Sequence, residues 1–187
     1  MIEIVRIEGR QVKLQKGRSM KIDRTCFGLA YHRDNLYVIC HDNPGNTEVI
    51  VLNKRGQLVN RVSSPDNLQY PHYIAVDRVG RMYLPDCGTN TLTCMDMSGK
   101  TVYTRTKADT GLDSPIGLLV DRDQNVYCVG CLSQNLHIIS AEGKLYRTIV
   151  KKGQSLNYPE CLSYRRCDKT LIVGMVEDDN IQLYKFT

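Results

Sequence analysis

The sequence repeats itself at a fixed distance. The segment YPHYIAVDRVGRMYLPD (70–86) recurs as SPIGLLVDRDQNVYCVG (114–130), which is 44 residues later without a gap. A third copy, YPECLSYRRCDKTLIVG (158–174), follows after another 44 residues, and a divergent copy, TCFGLAYHRDNLYVICH (25–41), comes before all of them. Periods of 20–50 residues indicate units that cannot bury an apolar face alone and therefore stack on their neighbours.

Each copy is followed by a second half that is typical of two strands joined at a glycine. These halves and their turn glycines are 49–62 with Gly56, 92–105 with Gly99, and 136–149 with Gly143. Two short strands connected by a few polar residues and a glycine predict a β-hairpin. Each unit therefore contains four short antiparallel strands, a to d, and no helical segment long enough to cross between parallel strands.

Units of about 45 residues with four antiparallel strands are typical of β-propeller blades. We predict an all-β fold, a β-propeller with about four blades in this chain, because stacked blades bury each other's faces. The predicted single domain covers 1–187, with blade repeats at approximately 1–25 (partial), 26–70, 71–114, 115–158 and 159–187 (partial). The first residues match strands c and d around Gly9, and the last match a, b and c. These ends favour part of a longer propeller over a closed four-bladed ring.

Two residue types mark the limits of strand a. Pro71, Pro115 and Pro159 precede it or begin it, which suits a residue that cannot donate a ladder hydrogen bond. Asp77 and Asp121 close it, where a carboxylate can accept hydrogen bonds from the backbone of the a–b turn.

Composition and charge restrict the cellular compartment and the classes of partner that we expect. The net charge is +5, from 25 Lys and Arg against 20 Asp and Glu, and the basic residues are spread along the chain, so we expect no DNA partner. The start, MIEIVRIEGR, lacks the apolar core of a signal peptide, and no apolar run is long enough to span a membrane. We therefore expect a cytoplasmic protein with Cys40, Cys94 and Cys128 as buried thiols.

Several segments resemble a known repeat family. The residues 71–83, with Ile74-Ala75-Val76-Asp77 and Gly80-Arg81-Met82-Tyr83, together with 89–92 and 98–100, resemble an NHL-type repeat. The pair GRQVKLQK and CFGLAYHRDNLYV is similar to the C-terminal propellers of invertebrate tripartite-motif proteins, as found in molluscs. The resemblance implies a six-bladed propeller that follows a RING finger, B-boxes and a coiled coil.

The resemblance also implies a function. A complete family member would be an E3 ubiquitin ligase or a related adaptor, and its propeller would recognise the substrate. This chain has no RING-like series of paired Cys and His, so we expect no ligase catalysis in it. Family propellers recognise protein partners or, in some members, RNA on the face where the d–a and b–c loops gather. The Arg that often follows Asn at the start of strand c is replaced by Thr91 and Leu136, so no RNA-binding position is transferred.

Motifs for catalysis or metal binding are weak. Cys128-x-x-Cys131 resembles half of a zinc site, but no second pair has the same spacing. The segment 177–180 (EDDN) lacks the alternating ligands of an EF-hand loop and is expected to be a solvated turn. There is no G-x-S-x-G motif. The strand-a positions that hold metal ligands in propeller hydrolases are occupied here by Gly28, Tyr73, Gly117 and Cys161. We predict no catalytic residue, metal or cofactor, and a metal-dependent hydrolase is the weakest alternative.

The candidate binding face consists of basic and aromatic residues of the d–a and b–c loops. Its members are Arg24, His41, Tyr70, His72, Lys107, Lys151, Lys152 and Tyr158. The sequence favours a non-catalytic face for a protein partner. An RNA-binding face is the alternative, because lysines interleaved with tyrosines suit phosphate neutralisation and base stacking. Completion of the ring by further chains stays open.

Overall fold

A computed structural model describes residues 2–6, 15–43, 45–64, 68–176 and 180–186. These residues form an all-β structure with one turn of helix. The predicted glycine turn at Gly9 and most of the predicted turn at 177–180 lie outside the described residues. No helix in the described part of the chain is long and apolar enough to cross a membrane.

A hairpin precedes four successive sheets, which we call blades 1 to 4. The hairpin pairs β1 (Ile2–Arg6) with β2 (Gln15–Met20). Blade 1 contains β3 (Cys26–His32), β4 (Asn35–His41), β5 (Thr47–Asn53) and β6 (Leu58–Ser63). Blade 2 contains β7 (Ala75–Val76), β8 (Met82–Asp86), β9 (Thr91–Met95) and β10 (Thr101–Thr106), followed by helix α1 (Lys107–Thr110).

The last two blades repeat this order. Blade 3 contains β11 (Pro115–Val120), β12 (Val126–Gly130), β13 (Asn135–Ile139) and β14 (Leu145–Val150). Blade 4 contains β15 (Pro159–Arg165), β16 (Thr170–Met175) and β17 (Ile181–Lys185). Within each blade, neighbours in sequence pair antiparallel, which confirms the predicted propeller of meandering blades.

Three apolar cores hold consecutive blades together. Blades 1 and 2 bury residues such as Ile39, Val51 and Leu84 between them, and blades 3 and 4 bury Val129 and Val173. An equivalent core lies between blades 2 and 3. Full burial of one such aliphatic side chain is worth roughly 1.5–3 kcal/mol, so these interfaces supply the main stabilisation of the fold.

The remaining face of blade 1 is covered by the end of the hairpin and by Ile22, which follows it. Met20 at the end of β2 packs with Val38, Cys40, Ile50 and Leu52. The outward face of blade 4 has no equivalent cover among the described residues, and Ile181 and Leu183 are more than half exposed there.

In blades 1 and 3, strand a approaches the following chain so closely that one position in each strand requires glycine. A Cβ atom at Gly28 would lie 2.7 Å from the carbonyl oxygen of His72 in blade 2. A Cβ atom at Gly117 would collide with the backbone of Glu160 in blade 4. The two glycines occupy corresponding positions of the repeat, so blades 1 and 3 share a backbone-to-backbone contact as well as an apolar surface.

The carboxylates of Asp77, which is buried, and Asp121, which is half-buried, fix the a–b turns, as the sequence predicts. Asp77 accepts hydrogen bonds from the Arg81 side chain (2.6 Å) and the Tyr83 hydroxyl (2.9 Å). Burial alone would raise the pKa of Asp77, but these hydrogen bonds outweigh it and hold the pKa below its ordinary value. Asp121 and Tyr127 repeat the contact in blade 3 at 3.1 Å.

In blades 3 and 4, strand a begins at the predicted proline, whereas in blade 2 it begins four residues after the proline. Pro115 and Pro159 are the first residues of β11 and β15. In blade 2 the strand begins at Ala75 rather than near Pro71, because the preceding residues form a loop held by side-chain contacts. The turn glycines Gly56, Gly99 and Gly143 have φ angles of 76°, 86° and 82°, which confirms the predicted c–d turns.

The close approach of inner strands makes Gly117 a sensitive position. We expect Gly117→Ala to lower the free energy of unfolding by about 1–3 kcal/mol, because the added methyl group displaces the blade 4 backbone. Urea unfolding followed by circular dichroism measures the change. Ser163→Thr adds one methyl group at an exposed position of β15 and serves as the control. Equal stability of Gly117→Ala and the wild type would contradict the close contact.

Candidate functional site

Four aromatic rings meet at the boundary of blades 1 and 2, on the face of the d–a and b–c loops. The Phe27 ring lies parallel to the His41 ring at 4.0 Å and to the His72 ring at 4.7 Å. His41 and His72 are 5.5 Å apart, and the Tyr70 ring meets His41 edge-on at 6.2 Å. We call these four residues the aromatic cluster. Such stacked and edge-to-face arrangements are favourable beyond the area that they bury.

Different elements supply the four rings. Phe27 is the second residue of β3, and His41 is the last residue of β4. Tyr70 and His72 belong to the connection from blade 1 to blade 2. That connection comes close to β3 because Gly28 has no side chain, so His72 can stack on Phe27.

A buried carboxylate positions the connection. Asp86, at the end of β8, accepts hydrogen bonds from the backbone N–H groups of Gln69 (2.6 Å), Tyr70 (2.8 Å) and Gly88 (2.9 Å), and one from the Thr89 hydroxyl (2.9 Å). Its side chain is fully buried. The loop that carries Tyr70 and His72 is therefore attached to the sheet by charge-assisted hydrogen bonds rather than left free in solvent.

The surroundings of His41, the buried histidine of the aromatic cluster, favour its neutral form. Burial, with a smaller contribution from the neighbouring His72, lowers the pKa of His41. Its Nε2 atom is buried without a hydrogen-bond partner among the described residues. A neutral His41 ring stacks on Phe27 as an aromatic surface, and Phe27 and Tyr70 keep 40% and 42% of their surface exposed to solvent.

A cavity of about 420 Å³ opens beside the cluster along the inner strands. Phe27, Leu29, His72 and Tyr73 line it from blades 1 and 2, and Glu160 lines it from blade 4. The lining combines aromatic rings and the Leu29 side chain with polar surface that includes one carboxylate. Such a cavity suits an apolar or cationic side chain of a partner, because a cation gains from aromatic faces and from the carboxylate.

The first predicted face residue, Arg24, is already engaged. It is paired with Asp42 (3.0 Å) and Glu48 (3.1 Å), and it donates to the Asn46 carbonyl (2.9 Å). Its side chain keeps only 18% of its surface exposed. Arg24 therefore shapes the loops next to His41 and has little capacity left for a phosphate.

The other predicted face residues are distributed over later loops. Lys107 lies in helix α1 and forms an ion pair with Asp113. Lys151 and Lys152 are exposed in the loop after β14, and Tyr158 is half-buried in the left-handed conformation just before β15. The structure thus brings together His41, Tyr70 and His72, and within the described residues none of the later four contacts the aromatic cluster.

Phe27 was missed by the sequence analysis. It precedes Gly28, the position where strand a needs close approach, and it is one of only two phenylalanines in the chain. A large aromatic residue next to that glycine is the signal that the sequence offers, but its partners come from two other elements.

The described residues contain no group of three or more His, Cys, Asp or Glu side chains arranged to hold a metal ion. The predicted thiols Cys40, Cys94 and Cys128 are fully buried, and burial raises the pKa of each to about 12. Cys26 lies opposite Cys40 across β3 and β4, with 3.4 Å between the two Sγ atoms.

Comparison with known proteins supports the fold. No family model matches the sequence, and no curated protein matches it. A chain in the crystal structure of the nidogen/laminin complex superposes with a TM-score of 0.68 at 19% identity, covering 91% of this chain and 65% of that one. Virginiamycin B lyase from Staphylococcus aureus gives a TM-score of 0.65 at 14% identity, with coverages of 97% and 62%.

The Dos1 propeller is similar at a TM-score of 0.69 and 10% identity, covering 91% of this chain and 44% of that one. This chain therefore spans less than two thirds of the length of these three proteins. One of these proteins is a lyase and the other two are not described as enzymes. The likeness therefore shows the β-propeller fold, and the function has to be argued from the site.

His137 lies in β13, outside the aromatic cluster, and its burial predicts a pH dependence of the free energy of unfolding. It is buried, its Nδ1 atom lies 3.1 Å from the Thr148 hydroxyl, and burial lowers its pKa to about 4. The unfolded chain binds a proton at His137 more tightly than the folded chain does. The contribution of the neutral His137 to the free energy of unfolding is therefore fully present above about pH 6.5 and is lost as the pH falls towards 4. From pH 7.5 to pH 5.0 the loss from His137 amounts to about 2 kcal/mol.

Urea unfolding at these two pH values measures the loss. We expect His137→Gln to reduce the difference between the two unfolding free energies by about that amount, because the variant has no proton to bind. The same pH dependence in His137→Gln and in the wild type would show that this histidine is not buried in neutral form.

Proposed function

We propose that this propeller is a non-catalytic recognition domain that binds a protein partner on the face of the aromatic cluster. The observation that carries the proposal is the combination of Phe27, His41, Tyr70 and His72 with the cavity that ends at Glu160. The rings are held by rigid strands and by Asp86, so little conformational entropy is lost when a partner binds.

The chemistry of the site favours a protein over a small metabolite. Aromatic residues are enriched among the side chains that dominate protein–protein affinity, especially where they surround a pocket. The cavity of about 420 Å³ accommodates one large side chain, and the exposed parts of Phe27 and Tyr70 extend the contact beyond it. We propose a partner segment that inserts an arginine, lysine or aliphatic side chain towards Glu160.

The wider context of the function is proposed from the repeat resemblance. The pattern of Pro115, Asp121 and Gly143 in their strands and turns resembles the NHL-type repeat of tripartite-motif proteins. In that context the propeller would select the substrate of an E3 ubiquitin ligase in the cytoplasm, and the catalytic modules would belong to other parts of the protein. The neighbour in the nidogen/laminin structure supports the general proposal, since that propeller was solved in a complex with a protein.

Binding of RNA on the same face is the alternative function. Its support is the exposed pair Lys151 and Lys152, while Arg24 and Lys107 are neutralised by carboxylates. Two exposed lysines give a weak electrostatic attraction at physiological ionic strength.

The proposal is tested by capture of partners with three immobilised proteins: the wild type, Phe27→Ala/His72→Ala, and Leu58→Ala/Val102→Ala. Leu58 and Val102 are exposed on outer strands, so the second pair removes apolar surface elsewhere. We expect proteins retained by the wild type and by the control pair to be lost from the cluster variant. Loss of two aromatic anchors should weaken the binding of a purified partner by about 2–4 kcal/mol. This corresponds to a Kd that is at least about 30-fold higher.

Mass spectrometry identifies the captured proteins, and calorimetry with the purified partner measures the affinity. Equal capture by all three proteins would contradict binding at the aromatic cluster. Capture that disappears after RNase treatment would favour the RNA alternative.

A further inference from the structure

The face opposite the aromatic cluster carries a repeated arginine. The a–b turns of the four blades place Arg33, Arg78, Arg122 and Arg166 at corresponding positions, the last three at intervals of 44 residues. All four side chains are exposed. Because strand a is the innermost strand of a blade, its turn lies next to the propeller axis, so the repeat brings these arginines towards one another.

Three of these arginines line a single cavity. Arg78, Arg122 and Arg166, from blades 2, 3 and 4, border a space of about 280 Å³, and His32 from blade 1 completes its edge. The Nε2 atom of His32 is buried and has no hydrogen-bond partner among the described residues. Arg33 follows His32 directly in the turn of blade 1. We call Arg78, Arg122 and Arg166 the arginine site.

The turns that carry the arginine site are held in place by backbone contacts. The Gln124 side chain accepts a hydrogen bond from the Arg78 backbone N–H (3.1 Å) and donates one to the Arg122 carbonyl (3.3 Å). One amide therefore links the turns of blades 2 and 3. The backbone positions of Arg78 and Arg122 are therefore fixed relative to each other before a ligand binds.

Two carboxylates, Asp77 and Asp121, line the same cavity, and both are committed to other partners. Asp77 is fully buried and bound by Arg81 and Tyr83, and Asp121 accepts hydrogen bonds from Asn125 and Tyr127.

On the outer side of this face, Asp168 is paired with Arg165, and Asp34 with Tyr31 and Lys54. Asp123, next to Arg122, is the exposed carboxylate that partly offsets the charge. Within the described residues, no carboxylate forms an ion pair with Arg78, Arg122 or Arg166. The three guanidinium groups outnumber the two carboxylates that line the cavity with them, so the lining attracts an anion.

We propose that the arginine site binds a small phosphate-bearing molecule at the propeller axis. Planar guanidinium groups bind phosphate through two parallel hydrogen bonds each, and the cavity has the volume for two or three linked phosphate groups. The site lies on the opposite face from the aromatic cluster and is independent of the proposed protein partner. Binding there joins blades 2, 3 and 4 through one ligand.

Calorimetry of the full chain with inorganic tripolyphosphate tests the proposal. Three proteins are compared: the wild type, Arg78→Gln/Arg122→Gln/Arg166→Gln, and Lys54→Gln/Lys100→Gln/Lys144→Gln. The three lysines are exposed in the c–d turns on the same face but farther from the axis, so both variants lose the same charge. We expect binding to the arginine variant to be at least about 30-fold weaker, because each charge-assisted hydrogen bond is worth about tenfold. The lysine variant should stay within about threefold of the wild type, since it loses only distant, screened charges.

Three results would overturn the proposal. One is absence of tripolyphosphate binding to the wild type, and another is equal weakening in both variants, which would indicate non-specific attraction. The third is tighter binding of a short single-stranded RNA than of tripolyphosphate, with the same loss in the arginine variant, because the ligand would then be a nucleic acid. Thermal unfolding of each variant confirms that the exposed substitutions leave the fold intact.

Discussion

The contact between strand a of one blade and the backbone of the next is the constraint on which the structure depends. Gly28 and Gly117 allow the inner strands to approach until backbone meets backbone, and the apolar cores of the same two blade pairs pack outside these contacts. The same contact brings His72 against Phe27. The packing of blades and the formation of the aromatic cluster therefore have one physical cause.

The two faces of the propeller differ in charge and in aromatic content, because different side chains lie in the loops at the two ends of the strands. On one face, Asp86 holds a loop that carries aromatic rings, and the neighbouring Arg24 is neutralised by carboxylates. On the other face, Asp77 and Asp121 are satisfied inside their own blades, which leaves the adjacent Arg78 and Arg122 unpaired among the described residues. One face is suited to a protein surface and the other to an anion.

Much of the fold is readable from the sequence because the repeat is local. The turn glycines, the prolines at strand a and the carboxylates of the a–b turns each act within one blade, so Gly99, Pro115 and Asp77 are predictable from neighbouring residues alone. The site is less predictable because its parts come from separate elements. The stacking of Phe27 on His72 depends on the distance between two blades, and the engagement of Arg24 depends on Asp42 and Glu48, which lie far along the chain.

The central claim is that rigid blades hold the Phe27, His41 and His72 rings together before any partner binds. Nuclear Overhauser effects between the ring protons of Phe27 and those of His41 and His72, measured in the free chain, test this geometry directly. The account predicts strong effects from Phe27 to both histidines, with ring protons shifted upfield by stacking. Absence of these effects, with chemical shifts averaged to solvent-exposed values, would contradict it.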